Sequence, residues 1–199
     1  MSYPHQLLKL MTVLKKLPGV GTKTAERYAF QLLEWEKGHL TQLATILQET
    51  PEKITHCSTC GCLIDTAVPC PFCLPERAAN QSLCVIAHPK DVFAIEETNE
   101  YRGLYHVLGG VLSPIDGCTP ESLRVPTLLE RIQKHQIGEV IIAIDSTLEG
   151  DTTALFLKQE LTPLQVKLSR LAFGIPMGSA LDYIDGGTLA RALTARSHF

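Results

Sequence analysis

Two pairs of cysteines at metal-ligand spacing constrain this chain more than any other feature. Cys57 and Cys60 form one CxxC pair, and Cys70 and Cys73 form a second, with nine residues between the pairs. Two thiolates three positions apart on a tight turn can bind one side of a metal ion, and a second pair completes a tetrahedron. Four sulfur ligands are typical of Zn²⁺, so we expect one structural zinc ion per chain at these cysteines.

Other uses of the cysteines stay open at this point. An iron–sulfur cluster also accepts four thiolates. Disulfides are disfavoured, because the amino terminus shows no apolar signal segment and a reducing cytoplasm is expected. A thioredoxin-like motif would need a single CxxC beside a βαβ unit. Cys62 could replace Cys60 as a ligand, although Cys60 has the better spacing, whereas Cys84 and Cys118 lack a partner at ligand spacing.

Charge is spread unevenly along the 199 residues. Residues 1–27 carry five basic groups against one acid, whereas residues 57–199 carry eleven basic groups against sixteen acids. A basic end on an acidic body indicates a local nucleic-acid contact and a separate surface for another partner; the alternative is that these charges only form a solvated face. No apolar run approaches the length that spans a membrane, so we expect a cytoplasmic, nucleoid-associated protein without membrane contact.

A glycine-containing turn joins two predicted amphipathic helices near the amino terminus. Apolar residues recur at helical spacing over residues 5–15, and a second stripe begins near Thr22. The intervening sequence LPGVG (residues 17–21) resembles a helix-hairpin-helix, in which the turn contacts the DNA backbone. Glycines let a phosphate approach, and free N–H groups point outward at the start of the following helix. We expect backbone contact without sequence specificity from Lys16, Gly19, Gly21, Lys23 and Arg27; the alternative is a tight turn with solvated lysines.

Beyond the hairpin, a third helix is predicted over residues 40–49, with Pro51 lying past its end. From residue 82 onward, short apolar runs alternate with helical patterns, which predicts an α/β fold with a mainly parallel sheet flanked by helices. The predicted strands are residues 83–87, 105–108, 140–144 and 166–171, and the predicted helices are residues 90–98, 126–135 and 151–160. Functional groups gather beyond the carboxyl ends of such strands.

The arrangement of these strand ends resembles a Toprim domain. In catalytic members a glutamate after the first strand acts as acid/base, and an Asp-x-Asp after a later strand holds Mg²⁺. Here Ala87 stands where the glutamate is expected, and Thr147 stands where the second aspartate is expected. Catalysis of that type is therefore not expected. We expect the remaining acids to form a contact surface for a protein partner, or alternatively to cap helices or face solvent: Asp145, Glu149 and Asp151.

The carboxyl-terminal segment reads as a loop followed by a short helix. Thr188 is predicted to cap a last helix that runs through Ala195, and the apolar stretch ending at Asp185 faintly resembles a Walker B strand. Because the chain has no GxxxxGK[ST] loop, nucleotide hydrolysis is not expected. A packing or subunit-contact role is the favoured interpretation.

Together, these segments resemble the bacterial RecR family of recombination proteins over essentially the whole chain. The most specific pieces are residues 17–21, the four cysteines and LSPIDG at residues 112–117. The chain departs from the family pattern at Thr22, Ala87 and Ser146, where proline, glutamate and proline are usual. The resemblance implies four regions: a helix-hairpin-helix (1–55), a four-cysteine zinc finger (56–78), a Toprim-like α/β domain (79–172) and a carboxyl-terminal extension with a Walker-B-like loop and a subunit contact (173–199).

This resemblance also implies a non-enzymatic DNA-repair factor. Family members assemble into rings, typically tetramers, through the hairpin and zinc region and through the carboxyl end. They act with RecO and RecF to load RecA at gaps coated by single-strand-binding protein. Two rival interpretations remain: a Toprim-type, Mg²⁺-dependent nuclease or primase-like enzyme, which residues 87 and 147 disfavour, and a zinc-ribbon adaptor without DNA contact.

Overall fold

The computed structural model describes residues 3–172 and 174–196, which divide into a unit ending at Ile54 and a body beginning at Thr55. None of the helices in these ranges is both long enough and apolar enough to cross a membrane. The helices are α1 (His5–Leu14), α2 (Thr22–Leu33), α3 (Lys37–Lys53), α4 (Pro75–Ala78), α5 (Asp91–Glu97), α6 (Val125–Lys134), α7 (Leu148–Leu161) and α8 (Gly186–Thr194). The strands are β1 (Ile54–His56), β2 (Leu63–Asp65), β3 (Ser82–Ile86), β4 (Leu104–Val107), β5 (Glu139–Ala143) and β6 (Lys167–Arg170).

The amino-terminal unit is built on the pair α1 and α2. Their buried positions, Leu7, Met11, Ala25 and Ala29, form one small core, so the two amphipathic helices predicted from sequence are present. Small alanines on α2 let the helix backbones approach closely. The turn between the helices stays at the surface.

The third helix differs from its prediction. Pro51 was expected beyond the end of the helix, but α3 continues to Lys53 and includes it. Pro51 lies in the last turn of α3, where it removes only the hydrogen bond that its own amide would donate to the Leu47 carbonyl; in the same turn the Thr50 hydroxyl donates to the carbonyl of Ile46 at 2.7 Å. The preference of Thr50 for an extended backbone before proline is therefore overridden.

The predicted parallel sheet forms the centre of the body. Four strands lie in the order β4-β3-β5-β6, and every neighbouring pair is parallel. Because successive side chains of a strand face opposite ways, Val85 on β3 packs in a core with residues of α6 and α7. Cys84 and Ile86 belong to a second core, which includes Val92 of α5. Helices therefore contribute to the cores on both faces, as the alternating pattern predicts.

The cysteine segment belongs to that second core. Cys57, Cys60 and Phe72 are buried in the same cluster as Tyr105 and Val107 of β4. The segment thus uses the apolar face of the sheet in place of a core of its own. This packing joins residues that are nearly fifty positions apart in sequence, and no local pattern announces it.

The cap of the last helix is Asp185, so the prediction of Thr188 as the cap is wrong. Asp185 Oδ1 accepts a hydrogen bond from the Thr188 amide at 2.9 Å, and Oδ2 accepts one from the Thr188 hydroxyl at 2.6 Å. A capping side chain accepts from an amide two or three positions later, so Asp185 is well placed once the helix begins at Gly186. The helix ends at Thr194, one residue before the expected end.

Candidate metal centre and nucleic-acid interface

The four predicted cysteine ligands come together in space. The sulfur atoms of Cys57, Cys60, Cys70 and Cys73 all lie within 4.8 Å of one another. The Cys57 and Cys73 sulfurs are 3.9 Å apart, and those of Cys60 and Cys70 are 3.5 Å apart. Sulfurs bound to one zinc ion at about 2.3 Å in a tetrahedron would be about 3.8 Å apart, whereas a disulfide requires about 2 Å. The cluster therefore fits a tetrahedral metal ion, and Cys62 lies outside this set of four.

Two tight turns aim these sulfurs at one another. In the first cysteine turn (residues 57–62), the Gly61 amide donates to the Cys57 carbonyl and the Cys57 amide donates to the Cys62 carbonyl, both at 2.8 Å. Gly61 has a φ of +81°, which favours glycine. In the second turn, residues 71–73 form a 3₁₀ helix that begins with proline, and the Cys73 amide donates to the Cys70 carbonyl.

The electrostatics of the cluster also favour a bound cation. Burial, together with the charge of a Cys60 thiolate beside it, raises the pKa of the Cys70 thiol to about 12. Hydrogen bonds from Cys62 and Cys73 lower the pKa of Cys60, and the same contacts raise the pKa of those two partners. Crowded, desolvated thiolates repel one another, and a divalent cation relieves this repulsion because it binds sulfur in the deprotonated form.

The glycine turn between α1 and α2 is open to an external ligand. Gly19 has a φ of +76°, in the region that favours glycine, but Gly21 has an ordinary φ of −80°. A Cβ atom placed on either glycine would meet no atom of the described residues within 4 Å. Gly21 is also the N-cap of α2, and because it has no side chain it makes no capping hydrogen bond to the first amides of that helix. The predicted cations are exposed around this turn: Lys16, Lys23 and Arg27.

The acids at the end of β5 have different surroundings. Asp145 and Glu149 are exposed, whereas Asp151 accepts hydrogen bonds from Arg170 at 2.6 Å and Arg191 at 2.7 Å. These arginines hold the pKa of Asp151 below its usual range. Asp151 therefore links α7 to β6 and α8.

The two positions that depart from the catalytic Toprim pattern have structural roles. Ala87 is buried in the first core, and the Thr147 hydroxyl caps α7 by accepting from the Gly150 amide at 3.1 Å. Gly150 packs so tightly that a Cβ atom there would collide with the Asp145 carbonyl oxygen. Two histidines of the body differ in their surroundings. His106 is buried, and the His88 amide donates to Asp91.

Sequence reasoning missed three arginines of the body. Arg77 donates to both carboxylate oxygens of Glu96, and Tyr105 donates to the same carboxylate. Although burial alone would raise the pKa of Glu96, these hydrogen bonds lower it. Of the other two, Arg124 donates to backbone carbonyls of the first cysteine turn, whereas Arg131 donates to the Tyr105 carbonyl and to Nδ1 of His106 on β4. Only Arg131 had a usable signal, because it lies on the apolar stripe of α6, three residues after Leu128.

Comparison with known families agrees with this architecture. The model described as RecR, helix-hairpin-helix, matches residues 7–50, and the Toprim domain model matches residues 81–172. The model described as RecR, C-terminal, matches residues 174–197. A recombination protein RecR from Protochlamydia amoebophila is 60% identical over 199 residues, covering 100% of both chains. The chain belongs to the RecR family.

Other RecR relatives are also similar over their full length. Recombination protein RecR from Chlamydia trachomatis serovar L2 is 48% identical over 200 residues, which is 100% of both chains. The protein of the same name from Chlamydia pneumoniae is 48% identical over 198 residues, covering 99% of this chain and 98% of its own. Membership of the RecR family confirms the resemblance drawn from the hairpin, the cysteines and the carboxyl-terminal segment.

Proposed function

We propose that this RecR-family protein is a non-enzymatic recombinational repair factor of the cytoplasm, associated with the nucleoid. In this proposal it binds the DNA backbone through the helix-hairpin-helix turn and acts with RecO and RecF to load RecA at single-stranded gaps. Family membership supports the role in recombination. The observation that carries the DNA contact is the open turn at Gly19 and Gly21, flanked by exposed cations.

Gly21 gives the sharper argument for a phosphate contact. Its backbone angles suit any residue, and the fold leaves free space where a side chain would lie. Neither strain nor packing within the unit therefore requires glycine at this position. Close approach of an external group to the backbone would explain why this residue is glycine. The uncapped amides of α2 can donate hydrogen bonds to such a group.

Binding of a labelled DNA fragment at several salt concentrations tests this interface. Gly21→Ala should weaken binding at unchanged thermal stability, because the methyl group occupies the phosphate path. The double substitution Lys23→Ala/Arg27→Ala should also reduce the log–log salt slope by about 0.7–0.9 for each phosphate that the protein no longer neutralises. Lys37→Ala, an exposed lysine of α3, is the matched control. Unchanged affinity and slope in the hairpin variants would overturn the proposed interface.

For the cysteine cluster we propose one structural Zn²⁺ ion per chain, bound by Cys57, Cys60, Cys70 and Cys73. The distances between the sulfurs and the soft, four-thiol donor set support zinc. A closed site of this kind supplies folding energy and leaves no position to activate water. Elemental analysis of the purified protein checks the identity of the ion, and a preparation that is folded without metal would contradict the proposal.

We further propose that the acidic end of β5 contacts RecO. Beside Glu149 lies an apolar groove of about 400 Å³. Two of its lining side chains are largely open to solvent, Ile115 at 98% and Leu148 at 79% exposure. The described lining includes no lysine or arginine, so the groove favours a partner segment that combines apolar and basic residues.

A ring of subunits completes the proposal. Four copies of an amino-terminal segment with net charge +4 would make a basic channel, although the whole chain has a net charge of −3. Apolar side chains of the carboxyl-terminal segment, such as Met177 and Tyr183, are exposed and support a subunit contact there. Analytical ultracentrifugation at micromolar concentration should show a dimer or tetramer; a monomer would contradict the ring.

The enzymatic alternative has a direct test. A Toprim nuclease needs carboxylates at the positions that Ala87 and Thr147 occupy, and Thr147 instead caps a helix. We therefore expect no Mg²⁺-dependent cleavage of plasmid DNA by the purified protein. Cleavage that copurifies with the protein would revive the alternative.

A further inference from the structure

The first cysteine turn is attached to the parallel sheet by specific hydrogen bonds. At the end of β4, the Val107 amide donates to the Cys60 carbonyl at 2.8 Å. The Arg124 side chain, at the start of α6, donates through one nitrogen to the Ser58 carbonyl at 2.7 Å and the Thr59 carbonyl at 3.3 Å. Ser58 and Thr59 are the two residues between the predicted ligands of the first CxxC pair. The end of β4 and the start of α6 thus hold the backbone of that cysteine pair directly.

Close packing at Gly61 reinforces this attachment. A Cβ atom on Gly61 would collide with the other terminal nitrogen of Arg124 and would lie 2.9 Å from Cβ of Val107. The guanidinium group and the β4 side chain therefore press against the backbone of the turn with no side chain between them. Any other residue at position 61 would have to displace Arg124, in addition to adopting an unfavourable φ.

Arg124 is itself held from the interior. Its amide donates to the Leu108 carbonyl at 3.1 Å, and its carbonyl accepts from Nε2 of His106 at 2.9 Å. Nδ1 of His106 accepts from Arg131 at 3.2 Å, and Arg131 also donates to the Tyr105 carbonyl. A continuous chain of hydrogen bonds therefore runs from buried Arg131 to the cysteine turn.

The charges along this chain suit a metal–thiolate centre. Arg131 is only 4% exposed, and within residues 3–172 and 174–196 no carboxylate pairs with it. A buried cation without a counter-charge is costly. Four thiolates around one divalent ion carry more negative than positive charge, and the guanidinium of Arg124, which contacts the turn between two of the ligands, can offset part of that excess.

We propose that Arg124 is a positioning residue of the metal centre: it holds the Cys57–Cys60 turn in ligating geometry and couples the bound ion to the α6 side of the body. This inference rests on the proposed zinc site and goes beyond it, because a four-cysteine centre needs no arginine to be complete. On this proposal, residues outside the cysteine segment contribute to the affinity of the site for zinc.

Zinc release from the full-length protein tests the proposal. The zinc-loaded wild type, Arg124→Ala and Arg124→Lys are mixed with a colorimetric chelator, and the rate of zinc transfer is followed. We expect release to be faster by about 10-fold or more for Arg124→Ala, as is typical when the support around a metal ligand is removed. Arg124→Lys keeps the charge but not the forked donor, so we expect an intermediate rate, and it also serves if the alanine variant fails to fold. Arg102→Ala, an exposed arginine of the same body, should match the wild type.

A second measurement separates positioning of the centre from general support of the fold. Urea unfolding of zinc-loaded and chelator-treated protein gives the stabilisation that zinc provides, and this increment should shrink in both Arg124 variants. Equal destabilisation with and without zinc, or wild-type release rates, would overturn the role of Arg124. A wild type that binds no zinc would instead overturn the metal site itself, so the two failures are distinguishable.

Discussion

At the scale of single residues, His106 is a histidine whose titration is strongly altered by folding. It is fully buried, and burial is the main reason that its pKa falls to about 3, with the nearby charges of Arg131 and Arg124 adding to the effect. The ring is therefore neutral at working pH. Nε2 carries the proton that it donates to Arg124, and Nδ1 accepts from Arg131.

This neutral histidine makes stability depend on pH in a defined direction. An unfolded histidine has a pKa near 6.5, so between about pH 6.5 and pH 3 the unfolded chain binds a proton that the folded chain excludes. The free energy of unfolding should therefore fall on acidification, by up to about 1.4 kcal/mol per pH unit from this residue. Urea titrations at pH 7, 6 and 5 should show a shallower fall for His106→Gln. His88→Gln, at an exposed position, is the control, and parallel curves for wild type and His106→Gln would refute the assignment.

At the scale of secondary-structure elements, one carboxylate joins three parts of the body. Asp151 on α7 binds Arg170 at the end of β6 and Arg191 on α8. The sequence predicted all three elements, because their helical and apolar patterns are strong local signals. It did not predict the link, because the sequence does not show whether an acid after a strand binds another protein or an arginine of its own chain.

The Asp151 link should control how firmly α8 is held. Asp151→Asn removes the charge that both arginines bind, so the amides of α8 should exchange with deuterium faster while those of β3 and β5 change little. Because Arg170, followed by Arg191, lowers the pKa of Asp151, acidification through that lowered pKa should have a similar effect on the wild type. Asp182→Asn, at an exposed acid of the same segment, provides the comparison. Unchanged exchange in α8 would show that other contacts hold the helix.

The structural features that the sequence did not predict share a physical origin. Helix and strand positions follow from periodicity within about ten residues, and the four-cysteine set follows from spacing. The α3 helix includes Pro51 although proline usually ends a helix, and the cap of α8 depends on where that helix begins, at Gly186. The placement of Phe72 against Tyr105, with ring centroids 5.7 Å apart, depends on packing between distant segments. Arg124 could not be recognised from the sequence, because its side chain binds the carbonyls of Ser58 and Thr59, which are 66 and 65 positions earlier in the chain.

At the scale of the whole molecule, the proposed DNA contact and the proposed partner contact involve different regions of the chain. The cationic turn lies before Ile54, whereas the apolar groove and the exposed acids belong to the body. Substitutions in one region should therefore leave the binding function of the other intact. This separation suits a protein that bridges DNA and another factor.

Capture of purified RecO tests that separation. Leu148→Ser and Glu149→Lys should each reduce capture by about fivefold or more, as expected for central residues of an interface, without changing DNA affinity. Lys23→Ala/Arg27→Ala should weaken DNA binding, but it should leave the capture of RecO unchanged when gapped DNA is omitted. Glu97→Lys, on the exposed side of α5, controls for the change in net charge. Full capture by both groove variants would exclude this surface as the RecO contact.

The steric fit at Gly150 has a consequence for how the acidic edge can vary. The backbone after β5 turns back so closely on α7 that position 150 admits only a hydrogen atom. The side chains of Asp145 and Glu149 are exposed and take no part in this close backbone contact. Mutation can thus alter which charges the edge displays while its contour stays constant, and a new specificity could arise there without rebuilding the scaffold.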